Sequence, residues 1–234
     1  MDRIEALFFD VFGTVVDWRS SVARALEAAL GPRGVSADWA AMADAWRARY
    51  QPAMEEVRAG RRPFVVLDVL HRENLEAVLA EFGVGGLSAA ELDALTRAWH
   101  RLDPWPDSAG GLAALRRARI VAAMSNGNIA LMVNLSRHGG LVWDAILGAE
   151  LAQAYKPDPL CYLRGVEALG LQPAQCMMVA AHNDDLRAAR ALGLATAFVR
   201  RPTEHGPRQT TDLEPAAAWD VVCDSLTELA DRLS

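Results

Sequence analysis

One short apolar run, Ala6–Asp10 (ALFFD), stands alone near the N-terminus, and every other segment that reads as a strand lies beyond residue 106. The span between them is helical in pattern throughout. SSVARALEAALG opens on Ser and stops on Gly, and SADWAAMADAWRARYQPAMEEVRAG repeats that grammar. PFVVLDVLHRENLEAVLAEFG follows, and SAAELDALTRAWHRL begins with Ser88 and Glu91 in capping-box spacing. Four helices in a row predict a small helical bundle. PWPDSAGG (Pro104–Gly111) is a breaker cluster that returns the chain. Beyond it, strand-like Ile120–Met124, Ala145–Leu147, Met177–Val179, Thr196–Val199 and Val221–Cys223 alternate with helical Ile129–His138, Pro159–Leu169, Asp184–Leu192 and Ser225–Leu233. Such alternation predicts a parallel sheet with crossover helices. The first strand must cross residues 15–105 to reach its partners. The expected fold class is therefore α/β: a core of residues 1–14 and 106–234, and an all-helical insertion of residues 15–105 above the sheet edge where such folds bind ligands.

Composition narrows the partners. The net charge is −6, and no basic run or aromatic–basic interleaving is present, so no nucleic acid partner is expected. No apolar stretch approaches the roughly 18 residues of a spanning helix, and no signal peptide is visible, so no membrane partner is expected and cytoplasm is the default. Cys161, Cys176 and Cys223 lack metal-like spacing and read as reduced thiols.

Polar groups follow several of the strand-like runs: Asp10, Ser125 and Asn126 in MSNGN, Lys156 in AYKPDP, and Asp185 in VAAHNDD. Parallel strands end on one edge, so these groups converge there despite their distance in sequence. Each alone is a weak signal, and a lone Asp after a strand is more often an ordinary turn residue; order and placement together point to a site.

FFDVFGT, MSNGN, YKPDP and VAAHNDDL, in that order, resemble the four motifs of the haloacid dehalogenase superfamily, and DVFGT-V-x-D-W with YKPDP-x-x-Y resembles its type II, or (S)-2-haloacid, dehalogenases. The resemblance implies a Rossmann-like core with a helical cap domain. It also implies a hydrolase that converts short 2-haloalkanoic acids into 2-hydroxy acids and halide through an ester on Asp10. The small-molecule substrate, the lack of a cofactor and a homodimeric state come with that resemblance. The alternative within the superfamily is a magnesium-dependent phosphatase or phosphonatase.

Two absences favour the dehalogenase. The phosphatases carry a second Asp two residues after the nucleophile, which protonates a departing alkoxide; here that residue is Phe12. An alkoxide needs a proton to leave, whereas a halide departs as an ion. The phosphatases also place a metal-binding Asp in the fourth motif, where this chain has Ala180–Ala181 and keeps only the later Asp185. No metal is expected, with Asp184 and Asp185 left open as residual candidate ligands.

The resemblance carries roles to individual residues. Asp10 is the nucleophile; Lys156 keeps it ionised; Thr14 and Ser125 supply hydroxyl hydrogen bonds; Asp185 orients Lys156 or the hydrolytic water. Arg47 in AWRARY matches the arginine the family projects from its cap toward the halide, although Arg49 carries the same charge two residues on. Asn126 either donates to halide or caps the turn after it. Tyr162 is either an active-site tyrosine or a core aromatic. His182 stands where well-known members carry Asn, as Ala180 stands where they carry Ser; it either takes over the orienting role or is a structural histidine. Asn183 is a further binding candidate. Phe12, Trp18 and Phe64 are candidates to line the pocket, and a tighter polar pocket would extend the reaction to fluoroacetate.

Overall fold

The computed structural model describes residues 3–234; Met1 and Asp2, the first residues of the expected core, lie outside the described residues. Six parallel strands form one sheet in the order β5-β4-β1-β6-β7-β8. They are β1 (Ala6–Phe9), β4 (Ile120–Met124), β5 (Ala145–Leu147), β6 (Cys176–Ala180), β7 (Ala195–Val199) and β8 (Val221–Cys223). β1 is central, with Phe9 in register with Ala123 on one side and Val179 on the other. The chain builds outward from β1 to β4 and β5, then returns to place β6 on its other flank. The C-terminal end of β1 is thus the topological switch point where open sheets bind ligands.

Period-two alternation divides the sheet between two cores. Leu7, Phe9, Val121, Ala123, Met177 and Val179 face a cluster that continues into the insertion, whereas Phe8, Met124, Met178 and Ala180 pack with Tyr162, Val166 and Leu186. The helices α7 (Ile129–Gly139), α8 (Pro159–Ala168), α9 (Asn183–Ala191) and α10 (Leu226–Leu233) alternate with or close the strands, as the pattern predicts. One core helix was hidden from the sequence. α6 (Ser108–Leu115) runs through the Gly110–Gly111 pair that reads as a breaker. A Cβ on Gly111 would lie 2.5 Å from the Leu226 side chain and 2.7 Å from its backbone, so the glycine permits close helix packing.

Between β1 and α6 the chain makes the helical excursion. A two-stranded antiparallel ribbon closes it, β2 (Val16–Asp17) pairing with β3 (Asp103–Pro104). Trp105 Nε1 donates to Gly13 O at 2.8 Å and Ser108 Oγ to Val15 O at 2.7 Å, which ties the two crossings together. The excursion holds α1 (Trp18–Leu30), α2 (Trp39–Ala48), α3 (Tyr50–Arg58), α4 (Leu67–Glu81) and α5 (Ala89–Thr96). The expected second helix is thus two. Pro52 has no N–H to donate and its ring would clash with the Ala48 carbonyl, so the helix breaks at Arg49 and Pro52 falls in the first turn of α3. The Ser88–Glu91 capping box forms as expected, but the fourth helix tightens into a 3₁₀ segment over Arg97–Arg101. Trp18, Trp46 and Trp99 are fully buried in this layer.

Candidate active site

Asp10 is the first residue beyond β1, and its N–H still donates to Val179 O at 3.0 Å, so its carboxylate emerges at the switch point. Oδ1 accepts from Lys156 Nζ at 3.0 Å. Oδ2 accepts from Thr14 Oγ1 at 2.9 Å and pairs with His182 Nδ1 at 3.1 Å. Thr14 Oγ1 itself accepts from Ala181 N–H at 2.9 Å, which leaves its proton for Asp10. Lys156 Nζ also donates to Asp185 Oδ2 at 2.5 Å, and Tyr162 O–H donates to Asp185 Oδ1 at 2.5 Å. Tyr162 is thus both a core aromatic and a site residue.

These groups are buried, and their charges hold one another. Burial alone would raise the Asp10 carboxyl; the Lys156 ammonium and the His182 imidazole overcome it and hold Asp10 well below the usual carboxylate range. Burial would likewise lower Lys156, but Asp10 and Asp185 raise it above the usual lysine value.

The carboxylate faces a cavity of about 370 Å³ walled by Phe12, Arg47, Tyr50, Asn126, Lys156, Tyr162, His182 and Asp185, with Gln51 and Asp184 among its other lining residues. Arg47 on α2 approaches the rings of Tyr50, Trp18 and Phe12, its Cζ 4.1, 5.4 and 6.0 Å from the three centroids. Its Nη1 is buried with no hydrogen-bond partner among the described residues. Arg49 pairs with Glu81 at 2.9 Å instead and is absent from the cavity wall. A cation held on aromatic faces with a donor unspent is a site for an anion. Asn126 Oδ1 accepts from Lys156 N–H at 2.7 Å, which leaves its amino end for the cavity.

Other expected residues fall elsewhere. Ser125 follows β4, but its Oγ accepts from Gly127 N–H at 3.0 Å and shares no hydrogen bond with Asp10. Asn183 is a correction: it does not line the cavity. Its Oδ1 accepts from Ala216 N–H at 2.8 Å and Trp219 Nε1 at 2.9 Å, while Nδ2 donates to Asp212 Oδ1 at 2.8 Å and Glu214 O at 3.0 Å. Those bonds consume the amide. Phe64 is a second correction, packing against Tyr155 with tilted rings 5.4 Å apart, outside the cavity wall. Trp18 stands behind Arg47 rather than in that wall. Asp184 turns its exposed carboxylate to Arg187. Among the described residues, no group of three or more His, Cys, Asp or Glu is arranged to hold a metal ion.

Two residues that the sequence reading passed over belong here. Tyr50 supplies the nearest ring to Arg47. Glu204 is 1% exposed and takes His182 Nε2 at 2.9 Å on Oε2 and 3.2 Å on Oε1. It follows β7 in RRPTEHG, so the strand-end placement that marks Asp10 and Lys156 in the sequence marks Glu204 as well.

With the fold and site defined, the comparisons agree on a class. The family model for haloacid dehalogenase-like hydrolases matches residues 4–193, and the chain belongs to that family. A solved structure of a defluorinating L-2-haloacid dehalogenase is 49% identical, with a TM-score of 0.97, covering 98% of this chain and 95% of that one. The (S)-2-haloacid dehalogenase of Xanthobacter autotrophicus is 30% identical over 200 residues, 85% of this chain and 76% of that protein. A structure of the L-2-haloacid dehalogenase from the same organism, with chloropropionic acid covalently bound, matches at 26% identity and a TM-score of 0.83, covering 98% of both chains. Within the family, the chain falls in the (S)-2-haloacid, or L-2-haloacid, dehalogenase branch.

Proposed function

We propose that this protein is a hydrolytic dehalogenase that converts short 2-haloalkanoic acids, including haloacetates and (S)-2-halopropionate, into 2-hydroxy acids and halide. The observation that carries the reading is the Arg47 guanidinium with its unspent donor, on the same cavity as the Asp10 carboxylate and beside an apolar Phe12. A departing halide needs a cation and no proton; the pocket offers the one and, at position 12, lacks the other. Asp10 attacks the halogen-bearing carbon in line, inverting a chiral centre, and the ester is then cleaved by water at Cγ. Lys156 holds Asp10 ionised, Asp185 and Tyr162 hold Lys156, and Asn126 and Arg47 face the halide and substrate carboxylate. The 49% identity to a defluorinating relative supports extending the substrates to fluoroacetate. Residues 1–14 and 106–234 act as the core and 15–105 as the cap. The three free cysteines support a cytoplasmic setting.

The test is a halide-release panel of fluoro-, chloro- and bromoacetate and both 2-chloropropionate enantiomers, with and without chelator. Release that survives chelation, favours the S enantiomer and vanishes in Asp10→Asn is expected. Magnesium-dependent phosphate release from simple esters, with no halide from any haloacid, would overturn the proposal in favour of the phosphatase alternative.

A further inference from the structure

We infer that His182, held as an imidazolium by the buried Glu204, acts with Thr14 as an oxyanion hole for the second half of the reaction, making Glu204 a positioning residue for hydrolysis of the Asp10 ester. The inference rests on the dehalogenase reading and concerns the step after halide has left.

Geometry assigns the proton count. Both ring nitrogens of His182 meet carboxylate oxygens, Nδ1 at 3.1 Å from Asp10 Oδ2 and Nε2 at 2.9 Å from Glu204 Oε2. An ionised carboxylate only accepts, so both nitrogens must carry hydrogen, and only the imidazolium satisfies both partners. The electrostatics agree: burial opposes the charge, but Glu204 and Asp10 raise His182 well above its ordinary value, and although burial would raise Glu204, His182 brings it down to about 2. A general base at this position would need a free lone pair, and neither nitrogen has one.

The same geometry distinguishes the two oxygens of Asp10. A carboxylate oxygen offers two in-plane lone pairs. Those of Oδ2 are met by Thr14 and His182, whereas among the described residues Oδ1 has only Lys156 and keeps one free. Oδ1 is therefore the attacking atom. It bonds to the alpha carbon as the carbon–halogen pair leaves with the halide, and Oδ2 becomes the ester carbonyl oxygen. Water then adds to Cγ, the carbonyl π pair moves to Oδ2, and the negative charge forms between two donors already in place. The adding water releases one proton to solvent. On collapse the Cγ–Oδ1 bond breaks, its electron pair leaves with Oδ1, and the remaining water proton ends on that oxygen, giving the 2-hydroxy acid and an ionised Asp10.

The surroundings are built for this pair. Trp18 Nε1 donates to Glu204 Oε1 at 3.0 Å. Gly13 has φ +86°, and a Cβ there would lie 2.1 Å from the same oxygen, so the glycine after Phe12 gives Glu204 its room. Arg201 fixes the loop that carries Glu204, its Nε donating to Thr14 O at 2.9 Å and its Nη atoms to Asp107 at 2.9 and 2.8 Å. The titratable and charged groups around the imidazolium are Asp10 and Glu204 in contact, Lys156 and Asp185 beyond Asp10, His205 at 3.5 Å from Glu204 Oε1, and Arg47, Asp44, Asp184 and Asp212 on the cavity walls.

The test separates the half-reactions by rapid quench and intact-mass spectrometry, with bromoacetate as substrate, for wild type, Glu204→Gln and His182→Asn. Each variant should still release a burst of one halide per site and then turn over about tenfold more slowly, hydrolysis losing more than the burst, with the ester accumulating as added mass; a charge-assisted donor has been exchanged for a neutral one. In wild type the hydrolysis rate should fall as pH rises through the imidazolium's titration. That alkaline limb should move to lower pH in Glu204→Gln and vanish in His182→Asn, whose amide is a donor at every pH. Parallel loss of both steps, no accumulated ester, or an unmoved limb would overturn the inference. Absence of any halide burst from the wild-type protein would instead overturn the dehalogenase reading beneath it.

Discussion

Replacing Arg47 by Met should separate stability from activity, because the guanidinium is not satisfied by the protein itself. One Nη donor is buried without a partner, a condition that costs about 1–3 kcal/mol. The ring of Tyr50 at 4.1 Å returns roughly 0.5–2 kcal/mol, with smaller additions from Trp18 at 5.4 Å and Phe12 at 6.0 Å. The two contributions nearly cancel, and Met fills most of the same volume with apolar atoms. Thermal unfolding of Arg47→Met should therefore fall within about 4 °C of wild type, since 1 kcal/mol shifts a chain of this size by about 2–4 °C. Turnover should behave oppositely. Loss of charge-assisted hydrogen bonds to a carboxylate and a halide, each about 1.5–3 kcal/mol, removes about 3–6 kcal/mol and lowers kcat/KM by about 10²- to 10⁴-fold. A saturating 2-hydroxy acid product such as glycolate should raise the wild-type melting temperature, by about 2.7 kcal/mol equivalent at a hundredfold excess over Kd, and leave Arg47→Met unmoved. Arg49→Met, which loses only a surface pair with Glu81, is the control and should keep full kcat/KM. Melting and activity lost in proportion, or product protection that survives in Arg47→Met, would refute an anion-binding role.

Asn183→Ala should do the reverse, unfolding about 2–4 kcal/mol more easily because Trp219 Nε1 and the Ala216 N–H lose their buried acceptor. Its KM for chloroacetate should stay within twofold of wild type; a selective rise in KM would return Asn183 to the binding site. His71 lies between the rings of Trp99 and Tyr50 with both nitrogens unpartnered among the described residues, and burial drives it down to about 3. The folded value lies below the unfolded 6.5, so the unfolded chain takes the proton first, and stability present above pH 6.5 is lost toward pH 3 at about 1.4 kcal/mol per pH unit. His71→Phe removes that loss. Thermal melts should show its advantage over wild type growing by about 2 kcal/mol between pH 8 and pH 5, and a constant gap would mean that His71 finds a partner.

The sequence made the sheet legible because each strand is a short apolar run bounded by turn chemistry, and strand direction alone brings Asp10, Lys156 and Asp185 to one edge. Helix boundaries in the insertion were less legible, since Pro52 lies in an otherwise unbroken apolar period and acts only through the carbonyl it would strike. Gly110–Gly111 misled for the opposite reason: the need for close approach to Leu226 comes from α10, more than a hundred residues away. Arg47 and Arg49 are indistinguishable as letters, because what separates them is the partner each one meets. The role of Asn183 was misread on similar grounds, since its acceptors and donors belong to the loop before β8, which has no recognisable motif.

Glu204 shows how the site accommodates two steps with opposing demands. Attack on carbon favours an electron-rich Asp10, whereas cleavage of the ester at Cγ favours an electron-poor one. Donors spread evenly over both oxygens would weaken the first step in order to help the second. Here they are divided: Oδ1 faces only Lys156 and keeps a lone pair, while Oδ2 receives Thr14 and His182. Asp10 and Glu204 compensate the imidazolium, and Asp10 and Asp185 compensate the ammonium, so among the described residues Arg47 is the one site cation in the cavity wall with no carboxylate partner. Under the proposed mechanism, the incoming carboxylate and the departing halide find their counter-charge on the helical excursion, and the charges that serve hydrolysis stay neutralised around Asp10.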